Sequence, residues 1–368
     1  MLSFVLLGGS TIAHAARDPE QQLRAGLDAD LAADPSVPGE ALAVRAPGFR
    51  VALAAGLADT AAGTPLDPST PFRVASMTKT FVAAAVLRLV EQGEVDLDDP
   101  IAQYVSTESL DVLRADGYDL DHITVRQLLL HTSGLYDYAT DDAYDDVNVA
   151  DPGHRWTRLE QLQFAVDHGD PLGAPGKTFG YADTNYILLG ELLERVTGKT
   201  LPGAVRQLLD FDALGLDHTY WEILEPTPPG TPDRAHQYYA TYDNIVLDAS
   251  HDLYGGGGLV STVDDLARFY RALFHGKVFE RRSTLRTMTK PSRPGRDEGA
   301  AMGIYADVDA AGVRCFGHAG YWGTQTIHCP RLDLTFARTI NQANEDAFDY
   351  DALEAVIVDA ARNGFSAG

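Results

Sequence analysis

The sequence predicts an α+β fold, in an α/β/α arrangement. An antiparallel sheet drawn from both ends of the chain carries flanking helices, and a mostly helical domain is inserted between its halves. Two observations carry this. Strand-like runs gather at the two ends, ALAVRAPGFRVALAAGLA at 41–58 and four segments between 301 and 341. Helix signals dominate the middle, from 94 to 235. A sheet built from both termini, with terminal helices packed on it, buries these apolar faces most economically. At 368 residues the chain can fill one large core or two modest ones. The expected division is a leader at 1–15, a sheet domain at 16–93 and 236–368, and a helical domain at 94–235. The natural cleft lies between the last two.

Taken in order, MLSFVLLGGSTIAHAA opens with a short apolar stretch ending in Ala13-His14-Ala15, the form of an export signal with a small-residue cleavage site. Export to the periplasm or outside the cell is therefore expected. Residues 41–58 read as a β-hairpin turning at Pro47-Gly48. Within VASMTKTFVAAAVLRLVEQG (74–93), residues 76–92 read as a buried helix, because only Arg88 is charged from Phe81 to Val90 and Gly93 supplies a stop. ITVRQLLLHTSGL (123–135) reads as an apolar helix ended by Gly134, and 136–180 as an irregular, acidic, Tyr-rich stretch. TNYILLGELLERVTGKTL (184–201) is amphipathic with Gly198 as its stop, and TPPGTPD (227–233) is a turn cluster. STVDDLARFYRALFHG (261–276) is a helix capped by Ser261 or Thr262. Strands are expected at 301–309, 312–318, 324–330 and 332–341, and a last helix at 351–364.

Charge excludes several partners. A net charge of −24 disfavours nucleic acid and anionic membrane surfaces. No run is long enough to span a bilayer. HExxH, CxxC and EF-hand spacings are absent, so no metal or other cofactor is implied. The acidic stretch DDAYDDVNVAD (141–151) reads first as a solvated face. The only two cysteines, Cys315 and Cys329, flank two strand-like runs symmetrically about residue 322. They are either a cross-strand disulfide, worth about 3 kcal/mol for such a loop, or two free thiols. Oligomeric state is not encoded in any pattern here.

Chemistry concentrates at Ser76 and Lys79. Spaced i and i+3, they share one face of a helix start. Lysine is rarely buried, and the chain has only five. The plain alternative is that Ser76 caps the helix while Lys79 snorkels to solvent. The chemical reading is a serine nucleophile activated by an amine. Desolvation and the positive end of a helix would depress that amine's pKa, and the helix N–H groups could hold an oxyanion. No G-x-S-x-G elbow offers another route.

VASMTKTF resembles the S-x-x-K box of the serine β-lactamase and penicillin-binding-protein superfamily. Five further segments resemble that superfamily in order and spacing: EVDLDDPIAQY, ITVRQLLLHTSGL, FGYADTNYILLGELL, GGGGLVSTVDDLARF and FGHAGYWG. The similarity runs over roughly 40–345. It points to the branch holding class C β-lactamases, D-Ala-D-Ala carboxypeptidases, D-aminopeptidases and esterases, with a β-lactamase/DD-peptidase-like fold. The resemblance implies Ser76 as nucleophile and Lys79 as its partner. It implies Tyr181 as the phenol moving a proton to the leaving group and His318-Ala319-Gly320 as the K-T-G counterpart. It also implies an oxyanion hole from the Ser76 and Tyr321 N–H groups, with Gly320 letting substrate lie against the strand. The chain departs from the family pattern twice. Asp183 replaces an Asn, and is either a helix cap or a group facing a substrate ammonium or hydroxyl. Ala319 removes a hydroxyl and His318 replaces a lysine, which leaves little to hold a carboxylate. Trp322 is either an apolar wall for substrate or sheet packing. The implied function is an acyl-enzyme hydrolase of small esters or D-amino-acid amides and peptides. A D-Ala-D-Ala carboxypeptidase or β-lactamase is the alternative, and a silent peptidoglycan or peptide binder the rival from another class.

Overall fold

A computed structural model describes residues 18–292, 299–343 and 351–365, so the expected leader at 1–15 lies outside the described residues. Three strands come from the N-terminal part, β1 (Gly39–Ala46), β2 (Phe49–Asp59) and β3 (Thr64–Pro65). Four come from the C-terminal part, β4 (Tyr305–Ala310), β5 (Val313–Gly320), β6 (Thr324–Cys329) and β7 (Leu334–Thr339). They form one seven-stranded sheet in the order β3-β2-β1-β7-β6-β5-β4. Every pairing in it is antiparallel. The seam between the two ends is β1 on β7, with Ala43 opposite Ala337. The hairpin turns where expected, and Gly48 takes the left-handed φ of 72° that the tight turn needs.

Helices cover both faces. On one side lie α1 (Pro19–Ala33) and the C-terminal helix Asp351–Arg362, burying Leu23, Leu27, Leu353 and Ile357 with sheet residues such as Phe336. On the other lie α2 (Thr78–Gln92) and the helix Val263–Phe274, in the larger core that continues into the helical middle of the chain. Thr262 is the cap of the latter helix, its side chain accepting from the Asp265 N–H at 3.2 Å. Cys315 and Cys329 are joined in a disulfide. The β5–β6 register, Phe316 opposite His328, brings them directly across from one another.

Two expectations for the middle of the chain fail. The apolar segment 123–135 is helical only over Val125–Leu129, opened by a Thr124/Gln127 capping box. It stops because His131 enters the left-handed region (φ 54°) and the next carbonyls are claimed by a distant loop. Gly180 N–H bonds His131 O at 2.9 Å, Gly176 N–H bonds Thr132 O at 2.7 Å, and Leu172 N–H bonds Gly134 O at 2.8 Å. Conversely, 136–180 holds two helices, α3 (Asp142–Ala150) and Arg158–His168. Asp141 caps the first and a Thr157/Glu160 box caps the second. The capping residues were in plain sight, but short acidic helices lack the apolar periodicity that announces longer ones.

Candidate active site

Between residues 70 and 87 every side chain is buried except Ser76. The residue is presented by a single 3-10 turn, Ala75–Met77, that runs directly into α2. Ala75 holds a φ of 46°, a strained value for a residue with a Cβ, immediately before the serine. Ser76 does not cap α2: the N-cap is Met77, without a side-chain bond.

Lys79 does not snorkel; it is fully buried. Its Nζ donates to Ser76 Oγ at 2.9 Å and to Gly256 O at 2.8 Å, and pairs with Asp183 Oδ1 at 2.7 Å. These three acceptors match the three donors of an ammonium group. The burial and the helix N-terminus expected around the amine are both present, but the charged neighbour is a carboxylate rather than a cation. The second hydrogen-bonding partner of Ser76 is the Tyr181 hydroxyl, whose pKa burial holds well above the ordinary phenol value. The Lys79 Nζ lies 4.9 Å from the centre of the Tyr181 ring.

Asp183 is the first residue of the helix Asp183–Thr197, not its cap, which is Ala182 without a side-chain bond. Its carboxylate is turned to Lys79, and its backbone N–H bonds Asp137 Oδ1 at 2.8 Å. Asp252 stands nearby. Burial, then the charge of Asp183, pushes Asp252 up to about 7 and Asp137 to about 6. One lysine thus faces three acids. The run Gly255–Gly258 makes this crowding feasible. A Cβ at Gly256 would sit 2.5 Å from Asp183 Oδ2, and one at Gly257 would sit 2.0 Å from Asp252 Oδ2.

Tyr181 is held by a residue the sequence reading did not single out. The His131 ring stacks on it, with centroids 4.3 Å apart and 21° between planes. His131 Nδ1 accepts from the Ala182 N–H at 3.1 Å. Burial, followed by the charge of Lys79, holds this imidazole well below its ordinary pKa, so it stays a neutral acceptor. The broken helix at 123–135 is what carries His131 there.

On the sheet side, β5 ends against the serine turn. A Cβ on Gly320 would lie 2.2 Å from Val74 O, so only glycine allows that approach. Thr324 Oγ1 donates to the same carbonyl at 3.2 Å. His318 Nδ1 bonds the Ala319 carbonyl at 2.6 Å, and burial then Lys79 lower its pKa to about 4. It carries no charge near neutral pH. Trp322 packs on Ala75 and Ala343 and also lines a cavity beside Ser76.

Two cavities meet at Ser76, Tyr181 and Tyr321. One, of about 500 Å³, runs along β5 past His318 and Tyr305. The other, of about 780 Å³, opens toward α3 and is floored by Asp183 and Asp252. Among the described residues no arginine or lysine lines either one.

An accessible serine, bonded by a buried lysine at a helix start between sheet and helices, defines a serine hydrolase. Residues 22–360 match the Beta-lactamase family, and the chain belongs to it. Among curated relatives it is similar to Esterase EstB of Burkholderia gladioli, 29% identical over 336 residues, covering 80% of this chain and 82% of the relative. Among solved structures it is similar to a D-stereospecific amidohydrolase from Streptomyces sp., with a TM-score of 0.77, 28% identity, and coverage of 94% and 98% of the two chains. The D-amino acid amidase of Ochrobactrum anthropi SV3 superposes with a TM-score of 0.78 at 24% identity, covering 95% and 100%, and shares the fold.

Proposed function

We propose that this enzyme hydrolyses small esters and D-amino-acid amides or peptides through an acyl-enzyme on Ser76. The observation that carries the reading is the 2.9 Å bond from the sealed Lys79 Nζ to the one accessible hydroxyl of the stretch. Ser76 Oγ attacks the carbonyl carbon, and Tyr181, a neutral phenol, takes the serine proton while passing its own hydroxyl proton to the departing oxygen or nitrogen, so that it ends the step neutral. The adjacent Lys79 ammonium stabilises the partial negative charge that develops on these oxygens during the transfer. The Ser76 and Tyr321 N–H groups receive the oxyanion, with Gly320 fixing the distance between turn and strand. Water then attacks the acyl carbon through the same relay, Tyr181 taking a proton from the water and returning its own to Ser76 Oγ as the acyl group leaves. Asp183 acts through Lys79, holding its charge beside the serine, and His131 orients the Tyr181 ring.

Reactions that need a substrate carboxylate are disfavoured. Neither cavity offers a lysine or arginine among the described residues, and His318 is neutral. This places D-Ala-D-Ala carboxypeptidase and β-lactamase activity behind ester and amide hydrolysis. The Cys315–Cys329 bridge supports export to an oxidising compartment.

The test is nitrophenol release from p-nitrophenyl butyrate, with D-phenylalanine amide as a second substrate, by wild type and Ser76→Ala. Turnover by the wild type alone is expected. Equal rates in a clean Ser76→Ala preparation, or none with either substrate, would overturn the reading.

A further inference from the structure

The two cavities at Ser76 differ in chemistry. The strand-side cavity has no charged lining group at neutral pH among the described residues. The α3-side chamber is acidic at its floor, acidic along one wall and aromatic at its lip. Asp252 lines its floor, half-buried, and accepts no hydrogen bond among the described residues. Lys79, already bonded to Asp183, compensates this carboxylate only in part, which leaves it able to receive a further cation. Along the wall, α3 contributes Asp142, Asp145 and Asp146. At the lip stand Tyr239, Tyr242, Tyr321 and Val149, exposed by 52%, 37%, 51% and 65%. Nine large apolar side chains are strongly exposed among the described residues, and four of them share this lip. An apolar patch gathered at the mouth of a cavity marks recognition.

Acid below and aromatic faces above is the chemistry of organic ammonium binding. Carboxylates supply charge, and ring faces replace the water that an alkylated cation sheds readily. A bare metal ion fits poorly, because no group of three or more metal-ligating side chains is clustered among the described residues. Resting on the reading of Ser76 as nucleophile, we propose that this chamber binds an organic ammonium group carried on the acyl half of the substrate. The enzyme therefore prefers cationic esters and amides to neutral ones of the same shape. The acyl half stays bonded to Ser76 through both steps and profits from a second anchor. The leaving group departs past β5, where no charge retains it.

The experiment compares the p-nitrophenyl ester of γ-trimethylammoniobutyric acid with its carbon isostere, in which tert-butyl replaces the trimethylammonio head. A kcat/KM ratio of about tenfold or more in favour of the cation is expected. The ratio should fall to about threefold or less in Asp252→Asn. Asp145→Asn serves as the second variant should the first fail to fold. A ratio near one in the wild type, or one unchanged by both substitutions, would overturn the proposal. So would a cation preference confined to the leaving group, read by butyrylcholine against its tert-butyl isostere. Binding of phenyltrimethylammonium to Ser76→Ala, followed by tryptophan fluorescence with tert-butylbenzene as neutral control, reports on the chamber without turnover. Equal binding of the two would overturn the proposal even with catalysis intact. Selective binding without turnover would uphold the chamber and sink the hydrolase reading alone.

Discussion

Lys79 and Arg338 are both sealed from solvent, and each stands among three acids. Arg338 lies in β7 beneath α1, with Nε on Glu40 Oε1 at 2.9 Å and Nη2 on Asp30 Oδ2 at 3.0 Å. The third acid near it is Glu354. Burial outweighs the arginine and pushes Glu40 and Glu354 up to about 7. Around Lys79 the acids Asp137 and Asp252 are displaced upward in the same way. Perturbed titration therefore does not separate the two clusters. The difference is that the bonds described for Arg338 go to carboxylates, and it lines neither cavity at Ser76. Lys79 gives one of three donors to a neutral hydroxyl that opens on empty space. A buried cation marks chemistry when a reactive group and room for a substrate share its coordination.

The comparison can be broken by substitution. The largest effect is expected for Ser76→Ala, a loss of roughly 10⁴-fold or more in kcat/KM with an unchanged melting curve; esterase assay and calorimetry check both halves. Next, Arg338→Leu should cost about 3–5 kcal/mol of stability, while the folded fraction keeps its kcat in assays below the melting transition. Were activity lost in proportion to nothing but unfolding at Lys79→Met as well, the two clusters would be equivalent. Cys315→Ser should cost about 3 kcal/mol by the loop-closure argument, read as a lower urea midpoint.

Asp252→Asn should stabilise the protein at pH 8 by about 2 kcal/mol and leave it unchanged near pH 4. The sign follows from the raised carboxyl. Its folded pKa of about 7 lies above the unfolded value, so the native state binds the extra proton between pH 4 and 7. Stability is lost as pH rises through that window, and the amide escapes the loss. The smallest effect concerns the pH–rate profile. Asp183→Asn removes the charge that helps raise Asp137 and Asp252, so an inflection in the 6–7 region should move to lower pH. His318→Gln should leave it in place, because that imidazole is already neutral above about 4.

Much of this was legible in the residues. The hairpin runs at 41–58, the apolar run after Ser76 and the strands beyond 301 gave the sheet and its helices their order. The S-x-x-K spacing pointed to the nucleophile, and the similarity of whole segments pointed to Tyr181 and the His318–Gly320 strand. What stayed hidden depends on contacts distant in sequence. His131 acts only because a helix breaks early to meet a loop some fifty residues on. Asp183 offered two readings, cap or substrate contact; it is not the cap, and its pairing with Lys79 was in neither reading, because that lysine lies more than a hundred residues away. Asp137 lies in a loop and Asp252 closes a 3-10 turn (Ala249–Asp252), neither with a motif. Four successive glycines were the available signal for Asp252, since such a run marks a place where other groups press against backbone.

The strand that flanks Ser76 is fastened at both ends. Gly320 is wedged against the Val74 carbonyl at one end, and the Cys315 bridge clamps it to β6 at the other. It behaves as a beam on two supports, and the width of the reaction gap is the clearance beneath that beam. One support is covalent, and both of its cysteines are buried, so the clearance is set when the bridge forms.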